Sequence, residues 1–150
     1  MSEIVIRPAT QDERNWSASL LAGSEPWITL GTTLEQCMKT CHDEEYRVFI
    51  AIFGPAPCGV IVIDPRGLAG SPYIKSVVVA KEFRSQGVGA ALLNFAEEWL
   101  RNNAKHLFLC VSSFNMRARK FYENHGFNPV GELKDYLIPG ASEIIMVKNL

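Results

Sequence analysis

The feature that most constrains this chain is a change of period in its middle. "YIKSVVVA" (Tyr73 to Ala80) is β-branched and aromatic, as a strand favours, and a few residues later Val88, Leu92, Leu93, Ala96, Trp99 and Leu100 recur at helical spacing. Between the two stands "FRSQGVGAALL" (Phe83 to Leu93), with Arg84 and Gln86 beside Gly87 and Gly89. A strand that turns through glycines into a helix presents first-turn N–H groups and the positive end of the helix dipole, and both attract phosphate. Glycine lets an anion approach the backbone, and Arg84 adds a side-chain donor.

The rest of the chain alternates between the same two periods. "EIVIR" reads as a strand, and Thr10 with Glu13 forms a capping box that starts a helix running to about Ala22. Thr32 with Glu35 does the same for a shorter helix to about His42, after a break that Pro26 enforces in "SEPW". "YRVFIAIF" and "CGVIVID" flank "GPAP" as a hairpin, "PRGLAGSP" reads as a loop, and the helix after the glycines ends near Asn102 and Asn103. "HLFLCV" is almost continuously apolar, as in a strand covered on both faces. From Asn115 a further helix sets Ala118, Phe121, Tyr122 and His125 on one stripe and stops at Gly126. "NPVGELKDYLI" and "SEIIMVKN" close the chain as strands around a "PGAS" turn. The order βααβββαβαββ predicts one α/β domain over residues 1–150, a mixed sheet with helices on both faces.

Composition narrows the function classes. The chain of 150 residues has Lys+Arg 15 against Asp+Glu 16, a net charge of -1, so no broad field exists to grip nucleic acid and an anion must be held locally. No apolar run approaches the roughly 18 to 20 residues that span a bilayer, and "MSEIVIRPAT" lacks a leader pattern, so a cytoplasmic protein without membrane contact is expected. The four cysteines suit reduced thiols. Cys37, Cys41 and His42 in "CMKTCH" have no second Cys/His pair to complete a metal site, and no metal is expected.

Two familiar phosphate motifs fit poorly. A Walker loop ends in Gly-Lys-Ser/Thr, whereas Ala90 and Ala91 follow Gly89. A dinucleotide fingerprint needs a third glycine and an acidic residue after the next strand, where this chain has Leu92 and then Cys110 and Val111. The remaining pattern, Arg84-x-x-Gly87-x-Gly89 behind "VVVAKEF", resembles the acetyl-CoA motif of the GCN5-related N-acetyltransferases from Val77 to Ala90. "NMRARKFYENHGF" is similar to a second motif of that family at Asn115, Ala118, Phe121, Tyr122, Gly126 and Phe127.

The resemblance implies the GNAT fold, a mixed, mostly antiparallel, twisted sheet of about seven strands, and acetyl transfer from acetyl-CoA to an amine. It places the pyrophosphate on the backbone of Ser85, Gln86, Gly87, Val88, Gly89 and Ala90, with Arg84 beside it. The pantetheine would run along Val77, Val78 and Val79, where a bulge splays two strands and frees an N–H for the thioester oxygen. Asn115 corresponds to a coenzyme contact, with the alternative of a plain helix cap. Tyr122 corresponds to the general acid that protonates the leaving thiolate. A phenol with pKa about 10 holds its proton at neutral pH, so it can serve. A homodimer through the last strands is also a family habit.

The general base is less legible. One subgroup, which acetylates protein amino termini, carries Glu where this chain has Cys110. An amine of pKa about 10.4 must lose a proton before attack, at about 4 to 5 kcal/mol at neutral pH. Candidate acids are Glu44, Glu45, Asp64 and Glu143, with "DEE" at 43–45 also readable as a solvated helix end and Cys110 as inert packing. Trp27 and Tyr136 are expected in the acceptor wall. A small-molecule amine is the expected acceptor; the alternatives are a protein amino terminus and a non-catalytic module that senses CoA or binds a partner.

Overall fold

The computed structural model describes residues 3–150. Seven strands form one sheet in the order β1-β2-β3-β4-β5-β7-β6. They are β1 (Ile4–Pro8), β2 (Arg47–Phe53), β3 (Ala56–Leu68), β4 (Ser71–Val79), β5 (His106–Ser112), β6 (Asn128–Leu133) and β7 (Glu143–Asn149). Every neighbouring pair is antiparallel except β4 and β5. The helices are α1 (Gln11–Ala22), α2 (Trp27–Leu30), α3 (Leu34–Cys41), α4 (Val88–Leu100) and α5 (Met116–Asn124).

Alternation along the inner strands divides side chains between two cores. On one face Ile61, Ile63, Ile74, Leu107, Leu109 and Met146 pack under α4 through Val88, Leu92, Leu93 and Ala96. On the other, Val48, Val60, Val62 and Val78 pack under α1 and α3 through Ala18, Leu21, Cys37 and Cys41. The two cysteines are therefore apolar filling, and burial pushes the Cys41 thiol up to about 12.

The Thr10 capping box forms as expected, with Glu13 accepting from the Thr10 N–H at 2.9 Å and donating its own N–H to Thr10 Oγ1 at 3.2 Å. Arg7 clamps the same carboxylate bidentately at 2.7 and 2.8 Å, tying β1 to α1. The second box is displaced by one residue: Thr33, not Thr32, is the cap, and Gln36 replaces Glu35 as its partner. An amide serves a capping box as well as a carboxylate, so two adjacent registers of "TTLEQ" compete. Three helices rather than two precede β2, because Pro26 at a helix N-terminus starts the short turn α2 instead of only breaking the chain. "PRGLAGSP" is not a loop. β3 and β4 continue through it and turn at Ala69 and Gly70, both at positive φ. β6 stops at Leu133, so "KDYLI" belongs to the connection, and β7 inserts between β5 and β6. α4 ends at Leu100, just short of the asparagines.

Candidate active site

The sheet parts between β4 and β5. Their parallel pairing is limited to Tyr73 with Phe108 and Ile74 with Leu109. At that point β4 also bulges: Ile74 pairs with Ile63 and Ser76 with Val62, leaving Lys75 as the extra residue. Beyond the bulge β4 has only β3 for a partner. The Ala80 N–H donates to the Cys58 carbonyl at 2.8 Å. Strand alternation then turns the N–H groups of Val78 and Ser76 toward β3, and those of Val77 and Val79 toward the gap. The gap belongs to a cleft of about 1200 Å³ that α1, α2, β4, α4, β5, α5 and the β6–β7 connection all line.

One end of the cleft carries the backbone features that attract an anion. Gly87 caps α4 at φ 85, a left-handed conformation that other residues adopt only with strain, and Ser85 is also left-handed at φ 63. No side chain caps α4, so its first-turn N–H groups at Val88, Gly89 and Ala90 open on the cleft. Arg84 Nε donates to the Val79 carbonyl at 3.3 Å, holding the loop to the end of β4. Gly89 has a reason that sequence alone did not show. A Cβ there would lie 3.0 Å from Phe121 Cζ, so the missing side chain lets α5 pack against the start of α4.

Two titratable groups reach the split from different elements. Tyr122, on α5, is buried with the α4 core, and burial raises its phenol above the ordinary tyrosine value. Glu143, at the start of β7, stands opposite Ser112 in the β5–β7 ladder and accepts from the Ser112 hydroxyl at 2.6 Å. It is 8% exposed. Burial raises its carboxyl above the ordinary glutamate value, and the Ser112 hydrogen bond opposes that shift. Cys110 and Ser112 alternate with the core residues Leu109 and Val111 along β5, which sets them with Glu143 on the sheet face opposite α4. Tyr73 and Cys110 interact there, and burial raises both the phenol and the thiol. A protonated, half-buried thiol is a poor nucleophile, in line with inert packing for Cys110.

Most residues singled out in the sequence converge on this cleft. Val77 to Val79, Arg84, Ser85, Gly87 to Ala90, Asn115, Tyr122 and Trp27 all line it. Asn115 is at once a cap, accepting from the Ala118 N–H at 3.3 Å, and part of the wall. Gln86 lies outside the lining, with its amide donating to the Glu82 carbonyl at 3.2 Å. Tyr136 is 64% exposed and its neighbour Leu137 takes the place in the wall. Of the four candidate acids, Glu143 alone lines the cleft. Glu44 and Glu45 are exposed between α3 and β2, and Asp64 accepts from the Arg66 N–H at the far end of β3.

The family model of the acetyltransferase (GNAT) family matches residues 10–127. The chain belongs to the GNAT acetyltransferases. A curated relative, streptothricin acetyltransferase A of Bacillus subtilis, is 41% identical over 79 residues, covering 50% of this chain and 45% of the relative. The chain spans about half or less of the length of the curated relatives it matches. Among solved structures, a GNAT-family acetyltransferase from Desulfovibrio desulfuricans superposes with a TM-score of 0.81 at 19% identity, covering 98% of this chain and 99% of that one. A GNAT acetyltransferase from Elizabethkingia anophelis, solved with acetyl-CoA bound, gives 0.76 at 20% identity with 98% of each chain covered. At such identities the likeness establishes the GNAT fold, a seven-stranded mixed sheet open between β4 and β5.

Proposed function

We propose that this chain transfers the acetyl group of acetyl-CoA to a primary amine by direct attack. The observation that carries the reading is the split sheet with an acid and a base reaching it from different sides. Acetyl-CoA supplies an activated thioester, and the chain's residues supply the rest. The uncapped N-terminus of α4 and the loop from Arg84 would hold the pyrophosphate. The free edge of β4 at Val77 and Val79 would pair with the pantetheine amides as a strand pairs with its neighbour. The Val77 N–H, nearest the point of splitting, would face the thioester oxygen, a placement that can contribute about 3 to 4 kcal/mol to the transition state.

Tyr122 is the general acid. Its raised pKa keeps the phenol protonated at neutral pH and ready to donate to the leaving thiolate as the C–S bond breaks. Glu143 is the general base, taking the amine proton as the C–N bond forms. Its raised pKa favours that acceptance, and the Ser112 hydroxyl fixes the carboxylate's orientation. The reading includes a homodimer through the last strands, for which β6, exposed at every residue, offers one edge of the sheet.

Calorimetric titration with acetyl-CoA and a thiol-release assay together test this reading. Tyr122→Phe is expected to bind acetyl-CoA as the unmodified chain does and to lose about 10²- to 10⁴-fold in kcat. Unchanged kcat removes Tyr122 from the mechanism. A folded chain that does not bind acetyl-CoA removes the transferase reading altogether.

A further inference from the structure

We infer that the acceptor is a primary monoamine with an aromatic or branched aliphatic body, its cationic nitrogen on Glu143 and its apolar part against Trp27, Ile28 and Leu137. The inference rests on the transferase reading and narrows it to a substrate class. Its first support is the charge count around Glu143. The groups that face this carboxylate are Ser112 and Cys110 from β5 and Tyr73 from β4, all uncharged at neutral pH. Among the described residues no lysine, arginine or histidine forms an ion pair with it. A buried carboxylate without a cation is costly unless a ligand provides one, and one such carboxylate matches one ammonium group.

The second support is the shortage of free carboxylates in the same cleft. Lys75, Lys81, Arg84 and Arg117 line it, against Glu25, Glu82 and Glu143. Glu25 is already engaged, accepting from the Thr29 N–H at 2.9 Å and the Thr29 hydroxyl at 2.7 Å. A polyamine or an aminoglycoside needs several free carboxylates, and this cleft offers its second and third charges only Glu82 beside Glu143. The third support is the wall. Ile28 from α2 and Leu137 from the β6–β7 connection both line the cleft although they are 55% and 53% exposed, and Trp16, Leu20 and Trp27 continue the apolar lining. Exposed apolar groups gathered on one cleft mark a surface that an apolar ligand covers.

The test compares 2-phenylethylamine and isoamylamine with spermidine and kanamycin, by thiol release at saturating acetyl-CoA and by calorimetric titration of each amine onto the CoA-loaded and CoA-free protein. The monoamines are expected to have kcat/KM at least about tenfold above the polycations. Glu143→Gln should weaken 2-phenylethylamine binding about 10- to 100-fold while leaving acetyl-CoA affinity unchanged. Trp27→Ala should raise its KM about tenfold, as an independent check should the first variant fold poorly. Preference for spermidine or kanamycin overturns the substrate class and leaves the transferase reading standing, as does preference for an unblocked peptide amino terminus. Binding of 2-phenylethylamine that Glu143→Gln does not alter removes the anchor. Failure of acetyl-CoA to bind strikes the transferase reading instead, and the amine titration onto the CoA-free protein still tests Glu143.

Discussion

Two carboxylates are buried to nearly the same degree, Glu97 on α4 at 7% exposure and Glu143 on β7 at 8%. Glu97 has an internal cation: Lys148 Nζ lies 2.8 Å from its Oε1 across the core side of the sheet. Among the described residues Glu143 has only a serine hydroxyl, and it faces a cleft rather than a core. The first charge is neutralised within the chain and serves to fasten α4 to β7. On the proposed reading the second is left for the amine that arrives from solution. Depth of burial alone does not separate a structural acid from a chemical one; the partner does.

The sharpest way to break this contrast is Glu143→Gln. Turnover is expected to fall about 10²- to 10⁴-fold. Melting at pH 7 is expected to move the other way. A carboxyl whose pKa is raised on folding loses stabilisation as pH climbs from the ordinary glutamate range through the raised value, and the amide escapes that loss. Higher Tm with lower kcat supports the contrast; lower Tm puts Glu143 with the structural acids. In the unmodified chain the rising limb of kcat/KM against pH should lie above about 4.3, the ordinary glutamate value.

Lys148→Ala probes the other carboxylate and should cost about 2 to 3 kcal/mol in denaturant unfolding. That is less than the roughly 3 to 5 kcal/mol of a fully buried pair, because the lysine keeps a quarter of its side chain in solvent. Acetyl-CoA affinity should not change, and a large change would mean that the pair serves the site. Gly89→Ala should cost about 1 kcal/mol, since the added methyl meets the Phe121 ring while the helix gains propensity. Loss of coenzyme affinity beyond what instability explains would mean that the missing side chain at Gly89 serves the phosphate cradle as well as the packing. The smallest effect belongs to Glu13, which the Arg7 hydrogen bonds hold at about 2. Because that value is depressed on folding, its contribution is present above the ordinary value of 4.5 and is lost as pH falls toward 2. Glu13→Gln should flatten the Tm profile in that window alone.

These outcomes also measure what was legible in the sequence. Period and capping chemistry are local, so the strand–glycine–helix unit, the Thr10 box and the Asn115 cap could be read directly. The competing boxes at Thr32 and Thr33 differ by one residue, and local chemistry does not choose between them. Glu143 could be seen only as one of four acids. What distinguishes it is its ladder position opposite Ser112, which depends on β7 inserting beside β5. Gly89 was legible as a glycine in a motif, but its contact with Phe121 joins two helices and leaves no local trace.

The two-pair seam between β4 and β5 has a consequence for how the molecule holds together. Four strands lie on one side of it and three on the other, and backbone pairing crosses it only at Tyr73 and Ile74. Any extended ligand that bonds to the free edge of β4 supplies rungs the chain itself omits. The protein would then reach its full backbone cooperativity only when loaded, so amide exchange at Val77 and Val79 would report occupancy as well as folding.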